Sequence, residues 1–223
     1  EALAGFGAPV AITATMILSL GVKPLKAAVT VLIANTAPVA FGAVAVPITT
    51  AGDVGGKDPH VIATIVGHQA PFLAMLVPLI LLVILDGMQG LKDAWLPALV
   101  IGVSFAIAQW VTAATPAFNL TDVVACIVSM GVAVIFLRFW KPRGVAGVRA
   151  RYGLPAQAEE KEALPAVRVW MALLPYVIVV AIFGVANLHA GLKAWLKGFV
   201  IKIDIQALSS RLVTADGKPV KDA

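Results

Sequence analysis

A short repeat interrupts the first two apolar runs of the chain. Residues 5–11 read Gly-Phe-Gly-Ala-Pro-Val-Ala and residues 35–41 read Asn-Thr-Ala-Pro-Val-Ala-Phe, so that the tetrapeptide Ala-Pro-Val-Ala occurs in both. Proline is tolerated in the first turn of a helix, whereas in a helix interior it removes a hydrogen bond. We therefore expect Pro9 and Pro38 each to begin a half-helix inside an apolar run.

The residues before each proline favour such a break. Gly5 and Gly7 precede the first proline, and Asn35 and Thr36 precede the second, which suits the non-helical backbone that comes before a helix start. Open backbone at membrane depth is tolerated only where it faces protein or a water-filled cavity. Two half-helix N-termini meeting in such a cavity would attract an anion. The alternative is that the breaks are simple kinks, which are common in membrane helices.

Composition predicts the fold class. Of the 223 residues, 60% are hydrophobic and 13% are charged, and the mean hydropathy is +0.95. Soluble domains carry about 25% charged residues. Apolar runs of about 17–22 residues recur, and these are long enough to cross a bilayer. We predict an all-α fold, a polytopic transmembrane helical bundle with two discontinuous or re-entrant helices within residues 1–48.

The apolar runs divide the chain into two parts. Residues 1–190 form the predicted transmembrane part, with about six apolar segments. Residues 191–223 form an amphipathic, polar tail that is predicted to be extracytoplasmic. The connection 138–168 carries most of the loop lysines and arginines and is predicted to be cytoplasmic. The apolar segments lie at 8–20, 27–48, 70–85, 95–113, 121–140 and 169–188.

Local signals refine some of these boundaries. Asp58 followed by Pro59 predicts a helix start, and we expect a short interfacial helix over 58–69. Residues 88–94 are predicted to form a turn. Thr121 or Asp122 is predicted to cap the helix that follows.

Several classes of function find no support in the sequence. The net charge of +5 comes from loop residues and not from a basic face with interleaved aromatic residues, so nucleic-acid binding is not expected. No nucleophile triad, paired carboxylates or phosphate loop is present, so no enzyme is predicted. Cys126 is the single cysteine, and the spacings of His60, His68 and His189 match no ligand pair, so neither a metal nor a cofactor is expected.

The two interrupted runs also carry a family resemblance. Glu1-Ala-Leu-Ala-Gly-Phe-Gly-Ala-Pro-Val-Ala-Ile12 and Leu32-Ile-Ala-Asn-Thr-Ala-Pro-Val-Ala-Phe-Gly42 resemble the bacterial L-lactate permease family of proton-coupled carboxylate transporters. Weaker traces extend the resemblance over most of residues 1–190. These traces lie at 69–72, 88–92 and 104–109.

The resemblance implies a symporter that moves L-lactate or a related 2-hydroxy monocarboxylate, such as glycolate, with protons across the bacterial inner membrane. Transport of other organic acids, or a membrane scaffold that transports nothing, are the alternatives. The family's other half is not recognisable after Lys202. We therefore expect a piece of a longer protein whose partner is the missing second half, and which alone would insert in the bilayer without transporting.

The breaks supply the predicted substrate site. The lactate hydroxyl suits Asn35 or Thr36, and its carboxylate suits exposed backbone N–H groups. The N–H groups in question belong to Gly5, Phe6, Gly7, Ala8 and Ala37. Asn35 and Thr36 could instead form an interhelical hydrogen bond that only joins helices.

Glu1 is the candidate for proton coupling. It is the acid nearest an apolar break, and burial favours the protonated form of a carboxylic acid. The alternative is that Glu1 is solvated. Ser104 and Gln109 lie five residues apart on one predicted helix and therefore on different faces, so they are not expected to form one site.

Overall fold

The computed structural model describes residues 7–140 and 144–153 and isolated positions between 165 and 191. The described part is helical and contains no strand. The helices belong to one compact unit that ends at Gly184, and Val185–Ala223 form a second unit. The predicted tail and most of the predicted run at 169–188 lie outside the described residues. The helices are α1 (Gly7–Ser19), α2 (Pro24–Ala34), α3 (Val46–Gly55), α4 (Pro59–Ala113), α5 (Thr121–Phe139) and α6 (Val145–Arg151).

Helix α4 is folded into a hairpin. Its backbone leaves the helical region at Gly87 (φ 67°) and at Ala94 (φ −137°), which separates a first arm (residues 59–86) from a second arm (residues 95–113). The arms run antiparallel, because Gly67 packs on Ala113 and Gly102 packs on the carbonyl of Met75. The chain reverses direction where the turn at 88–94 was predicted, but residues 88–93 are themselves helical and the backbone breaks lie at Gly87 and Ala94.

The first arm begins where the sequence predicts. The Asp58 side chain accepts a hydrogen bond from the His60 N–H at 2.9 Å, and Pro59 occupies the first turn. The prediction of a separate interfacial helix over 58–69 is wrong, because the arm continues unbroken to residue 86. Pro71 does not end it. With a rise of about 1.5 Å per residue, the first arm is about 40 Å long.

Two helical segments of the described chain are long and apolar enough to cross a membrane. They are Pro59–Ala113, with a mean hydropathy of 2.3, and Phe118–Phe139, with a mean hydropathy of 2.4. Helix α5 packs against the α4 hairpin, and α2 and α3 pack against α4 as well. The observed arrangement is therefore that of an all-α helical membrane bundle.

Helices α2 and α3 follow the first arm along its length. Near the start of α2, the Lys26 ammonium donates to the carbonyl of Leu85 at 3.3 Å. Near the end of α3, a Cβ atom on Gly52 would lie only 2.7 Å from Cγ of Pro59. The path from α2 to α3 thus begins at one end of the arm and finishes at the other.

A non-helical segment, residues 35–45, separates α2 from α3 and is called the break below. It includes a 3-10 turn at Ala43–Ala45. Gly42, Val44 and Ala45 have positive φ angles, which keep the backbone out of the right-handed helix.

The prediction that Pro38 begins a half-helix is wrong. Helix resumes at Val46, with Pro47 in its first turn. The positive φ angles between Gly42 and Ala45 prevent an earlier start. Pro9, by contrast, lies in the first turn of α1, whose bounds are Gly7–Ser19. The two copies of Ala-Pro-Val-Ala therefore have different backbone conformations.

Helix α6 packs at the end of the first arm. Arg151 pairs with Asp86 through two hydrogen bonds, and the Tyr152 hydroxyl donates to the carbonyl of Leu85 at 2.7 Å. The hydrogen bond to Asp86 raises the pKa of Arg151, and burial raises the pKa of Tyr152. Arg151 therefore stays cationic and Tyr152 stays a donor at neutral pH. Lys26 bonds the same carbonyl, so this end of the bundle collects basic side chains.

Candidate functional site

The break packs between two buried apolar clusters. On the side nearer Leu85, Ala37 packs against a cluster that contains Ala74, a residue near the middle of the first arm. At the other end, the break itself contributes to a second cluster. The first cluster is Ala74, Phe105, Ala108 and Ala125, and the second is Phe41, Ala45, Ile48, Ala63 and Ala113. The break therefore lies beside the middle of the hairpin.

A buried amide and a buried acid lie level with the break. The Gln109 amide nitrogen donates to Oδ1 of Asp122 at 3.1 Å. Gln109 is 0% exposed and Asp122 is 3% exposed. Gln109 follows Ala108 of the first cluster and lies one turn before Ala113 of the second. The pair is therefore positioned between the two clusters to which the break contributes.

The prediction that Thr121 or Asp122 caps α5 is wrong, because Leu120 occupies the cap position. Asp122 does not cap α5, because the helix begins after Leu120 without a side-chain cap and the Asp122 carboxylate accepts from Gln109 instead. Thr121 does not cap it either, since its hydroxyl donates backwards to the carbonyl of Phe118. The sequence did contain a signal for the pair of Gln109 and Asp122. An acid and an amide lie within apolar runs, where ionisable residues are rare.

Asn35 is buried at the start of the break. It is 8% exposed, and its backbone N–H donates to the carbonyl of Val31 at the end of α2. Within the described part of the chain, its side-chain Nδ2 has no hydrogen-bond partner, and neither does Oε1 of Gln109. A buried polar group left without a partner costs about 1–3 kcal/mol. The region thus offers one unused amide donor and one unused amide acceptor.

The neighbours of Asn35 are arranged differently. Thr36 is exposed, and its hydroxyl donates to the carbonyl of Ile33 at 2.6 Å, so it completes the end of α2. Ala37 is half-buried, and its N–H donates to the carbonyl of Ala34 at 3.4 Å. The structure therefore brings Asn35 and Ala37 to the region of the buried pair, whereas Thr36 lies at the surface.

The N-terminal part of the predicted site is only partly visible. Glu1, Gly5 and Phe6 lie outside the described residues. The backbone of Gly7 and Ala8 lies in the first turn of α1. Helix α1 packs against α2. The roles predicted for these five residues stay predictions.

A separate cavity of about 330 Å³ lies between the two arms. Apart from His68, its lining is apolar, and Nδ1 of His68 lies 2.6 Å from the carbonyl of Thr64. The lining has no cation and no amide for a carboxylate to bind. It includes Gly67, Pro71, Phe72, Met75, Ala106, Ile107 and Trp110, and none of the predicted site residues.

Comparison with known proteins establishes the family. The profile of the L-lactate permease family matches residues 1–215. The chain belongs to the L-lactate permease family. This confirms the resemblance found in the two interrupted runs. Permeases are transport proteins and not enzymes.

Several curated relatives are similar to this family member. The glycolate permease of Escherichia coli K12 is 50% identical over 143 residues, which cover 64% of this chain and 26% of that protein. The L-lactate permease of Bacillus subtilis is 35% identical over 244 aligned positions, which cover 99% of this chain and 43% of that protein. The L-lactate permease of E. coli K12 is 46% identical over 142 residues, which cover 64% of this chain and 26% of that protein. The aligned region thus spans 26–43% of these three relatives. No solved structure matches the chain.

Proposed function

We propose that the intact protein is a symporter that moves L-lactate or glycolate with protons across the bacterial inner membrane, and that this chain supplies part of the substrate pathway. Relatives named as glycolate and L-lactate permeases share 50% and 46% identity with it. The observation that carries the proposal is the break beside the middle of the hairpin, next to buried amide groups. Transporters place their sites at such interruptions near the bilayer midplane.

The chemistry of a small 2-hydroxy acid suits this region. Nδ2 of Asn35 can donate to a carboxylate, and Oε1 of Gln109 can accept from a hydroxyl group. The alanines of the first cluster would offer a small apolar body a surface of short side chains to pack against. Backbone N–H groups at Gly5, Phe6, Gly7 and Ala8 are proposed as further carboxylate donors. Glu1 is the proton-coupling residue that the sequence suggests.

Asn35→Ala in the purified full-length protein tests the substrate role. We expect L-lactate affinity to fall about tenfold to a hundredfold, because a hydrogen bond to a charged group contributes about 1.5–3 kcal/mol. The melting temperature in detergent should change little, since Nδ2 of Asn35 has no hydrogen-bond partner among the described residues. Titration calorimetry and a thermal melt give the two values.

Ser104→Ala is the matched control, because the Ser104 hydroxyl bonds the carbonyl of Ile101 in its own helix at 2.9 Å. It should leave affinity unchanged. If Asn35→Ala lowers the melting temperature and leaves affinity unchanged, Asn35 only joins helices and is not part of the site.

Uptake by proteoliposomes separates the alternatives. The intact protein should take up labelled L-lactate or glycolate saturably, and each acid should compete with the other. A membrane scaffold would show no saturable flux. A transporter of other organic acids would take up a different labelled acid. Neither unlabelled L-lactate nor unlabelled glycolate would inhibit that uptake.

A further inference from the structure

We propose that Asp122 carries the proton that is transported with the substrate anion, and that Gln109 is its positioning residue. This inference rests on the proposed function as a proton symporter. It names a carboxyl group within the described bundle for a role that the sequence suggested for Glu1.

The first step concerns location. Asp122 lies in the first turn of α5, within an apolar segment long enough to cross the membrane, and is 3% exposed. Ionisable side chains in such segments are costly and mark ion or substrate pathways. Asp122 is not the cap of α5, because Leu120 occupies that position.

The second step concerns the partner. The Gln109 amide has one donating group and one accepting oxygen. Its nitrogen donates to Oδ1 of Asp122 at 3.1 Å, which suits the ionised carboxylate. The amide oxygen can accept from the O–H of the protonated acid after the amide rotates. Gln109 can therefore bond Asp122 in both protonation states and hold it in place through a transport cycle.

The third step concerns coupling to the substrate. The pair lies between the two clusters to which the break contributes, so a substrate anion bound at the break would lie near Asp122. Two negative charges a few ångströms apart in a low-dielectric region repel each other strongly. Protonation of Asp122 removes this repulsion. Anion binding and proton binding then favour each other, and the coupling is reciprocal.

Other titratable side chains on the elements around the pair include Cys126, His60 and His68, and the ring of His68 lies against Trp110, the residue after Gln109. Cys126 lies one turn further along α5. His60, on the first arm, has its ring against Phe118, and its Nε2 lies 3.3 Å from the carbonyl of Ala114. On the side of the break, Asn35 contributes an uncharged amide.

The main test uses Asp122→Asn in the full-length protein, reconstituted in liposomes with labelled L-lactate. We expect accumulation driven by a pH gradient to fall about tenfold or more, because the amide cannot take up the proton. Exchange of internal for external L-lactate should persist, since exchange needs no net proton movement. Asp53→Asn is the matched control, because Asp53 is exposed on α3, and it should preserve both activities.

The outcomes separate this inference from the proposed function. A wild-type protein without saturable uptake overturns both. If the wild type transports and Asp122→Asn accumulates L-lactate normally, the role of Asp122 alone is overturned. Loss of exchange together with accumulation, in a variant that melts like the wild type, also overturns it, because Asp122 would then act in substrate binding.

Gln109→Ala provides an independent readout that does not require Asp122→Asn to fold. Removing the amide should shift the pH of half-maximal uptake, because the ionised carboxylate loses its donor. Gln109→Glu should not restore the wild-type pH profile, since a second acid replaces the amide. A purely structural role for Gln109 predicts less folded protein with the same pH profile, and that result would contradict the inference.

Discussion

At the residue scale, the break depends on an unusual backbone. Gly42 has φ 57° and ψ −150°, a conformation that is almost confined to glycine. Val44 and Ala45 follow with φ angles of 51° and 55°, which side chains with a Cβ adopt rarely. Phe41 and Ala45 are each 1% exposed, so tight packing holds this conformation in place.

Gly42→Ala is predicted to destabilise the protein. The new Cβ would lie 3.0 Å from Cγ of Pro47, and the backbone conformation itself costs a residue with a Cβ about 1–3 kcal/mol. A thermal melt of the purified full-length protein measures the effect. Gly55→Ala is the control, because its Cβ would meet no atom within 4 Å, and alanine favours helix by up to about 1 kcal/mol. Equal melting temperatures for both variants would contradict this account.

At the element scale, close contacts between the two arms hold the α4 hairpin together. Gly102 lies against the carbonyl of Met75, and Gly67 lies against Ala113. Small residues allow helices in membranes to approach closely, and packing of this kind contributes much of their association.

Gly102→Ala is predicted to separate the arms. Its Cβ would overlap the backbone carbonyl of Met75, which cannot move without distorting the first arm. We expect a destabilisation of about 1–3 kcal/mol, as for other overpacked sites. Gly131→Ala in α5 is the matched control, because its Cβ would meet nothing within 4 Å. Unfolding in a denaturing detergent should distinguish them, and equal stability would mean that the arms are not in contact at Gly102.

At the scale of the whole molecule, the charges indicate how the bundle lies in the membrane. The basic turn before α2 lies at the same end as Asp86 and α6, because Lys26 and Tyr152 both bond the carbonyl of Leu85. Helix α5 also ends with a basic residue, Arg138, in its last turn. From the positive-inside rule, we propose that this end faces the cytoplasm.

Cysteine labelling in intact cells tests this orientation. Lys57→Cys, in the exposed connection before α4, should react with a membrane-impermeant maleimide added outside. Lys23→Cys, exposed at the opposite end, should react only after the membrane is permeabilised. A parent protein without the new cysteine serves as the control. External labelling of Lys23→Cys in sealed cells would reverse the orientation.

The sequence by itself determined the features that depend on neighbouring residues. Hydropathy predicted the helical membrane bundle and the runs at 95–113 and 121–140. The chain reversal at 88–94 and the Asp58 cap followed from local residue preferences, because turns and caps are formed by a few consecutive residues. The polar residue Asn35 within an apolar run also pointed to the region of the candidate site.

Only the tertiary structure decided where helix resumes after the break and which polar groups meet. Pro47 and not Pro38 lies in the first turn of α3, because packing at Phe41 and Ala45 holds a left-handed backbone that no local preference would select. Gln109 and Asp122 pair across two helices. A local pattern could assign Asp122 only to a cap, since its partner is set by how α5 packs against the hairpin.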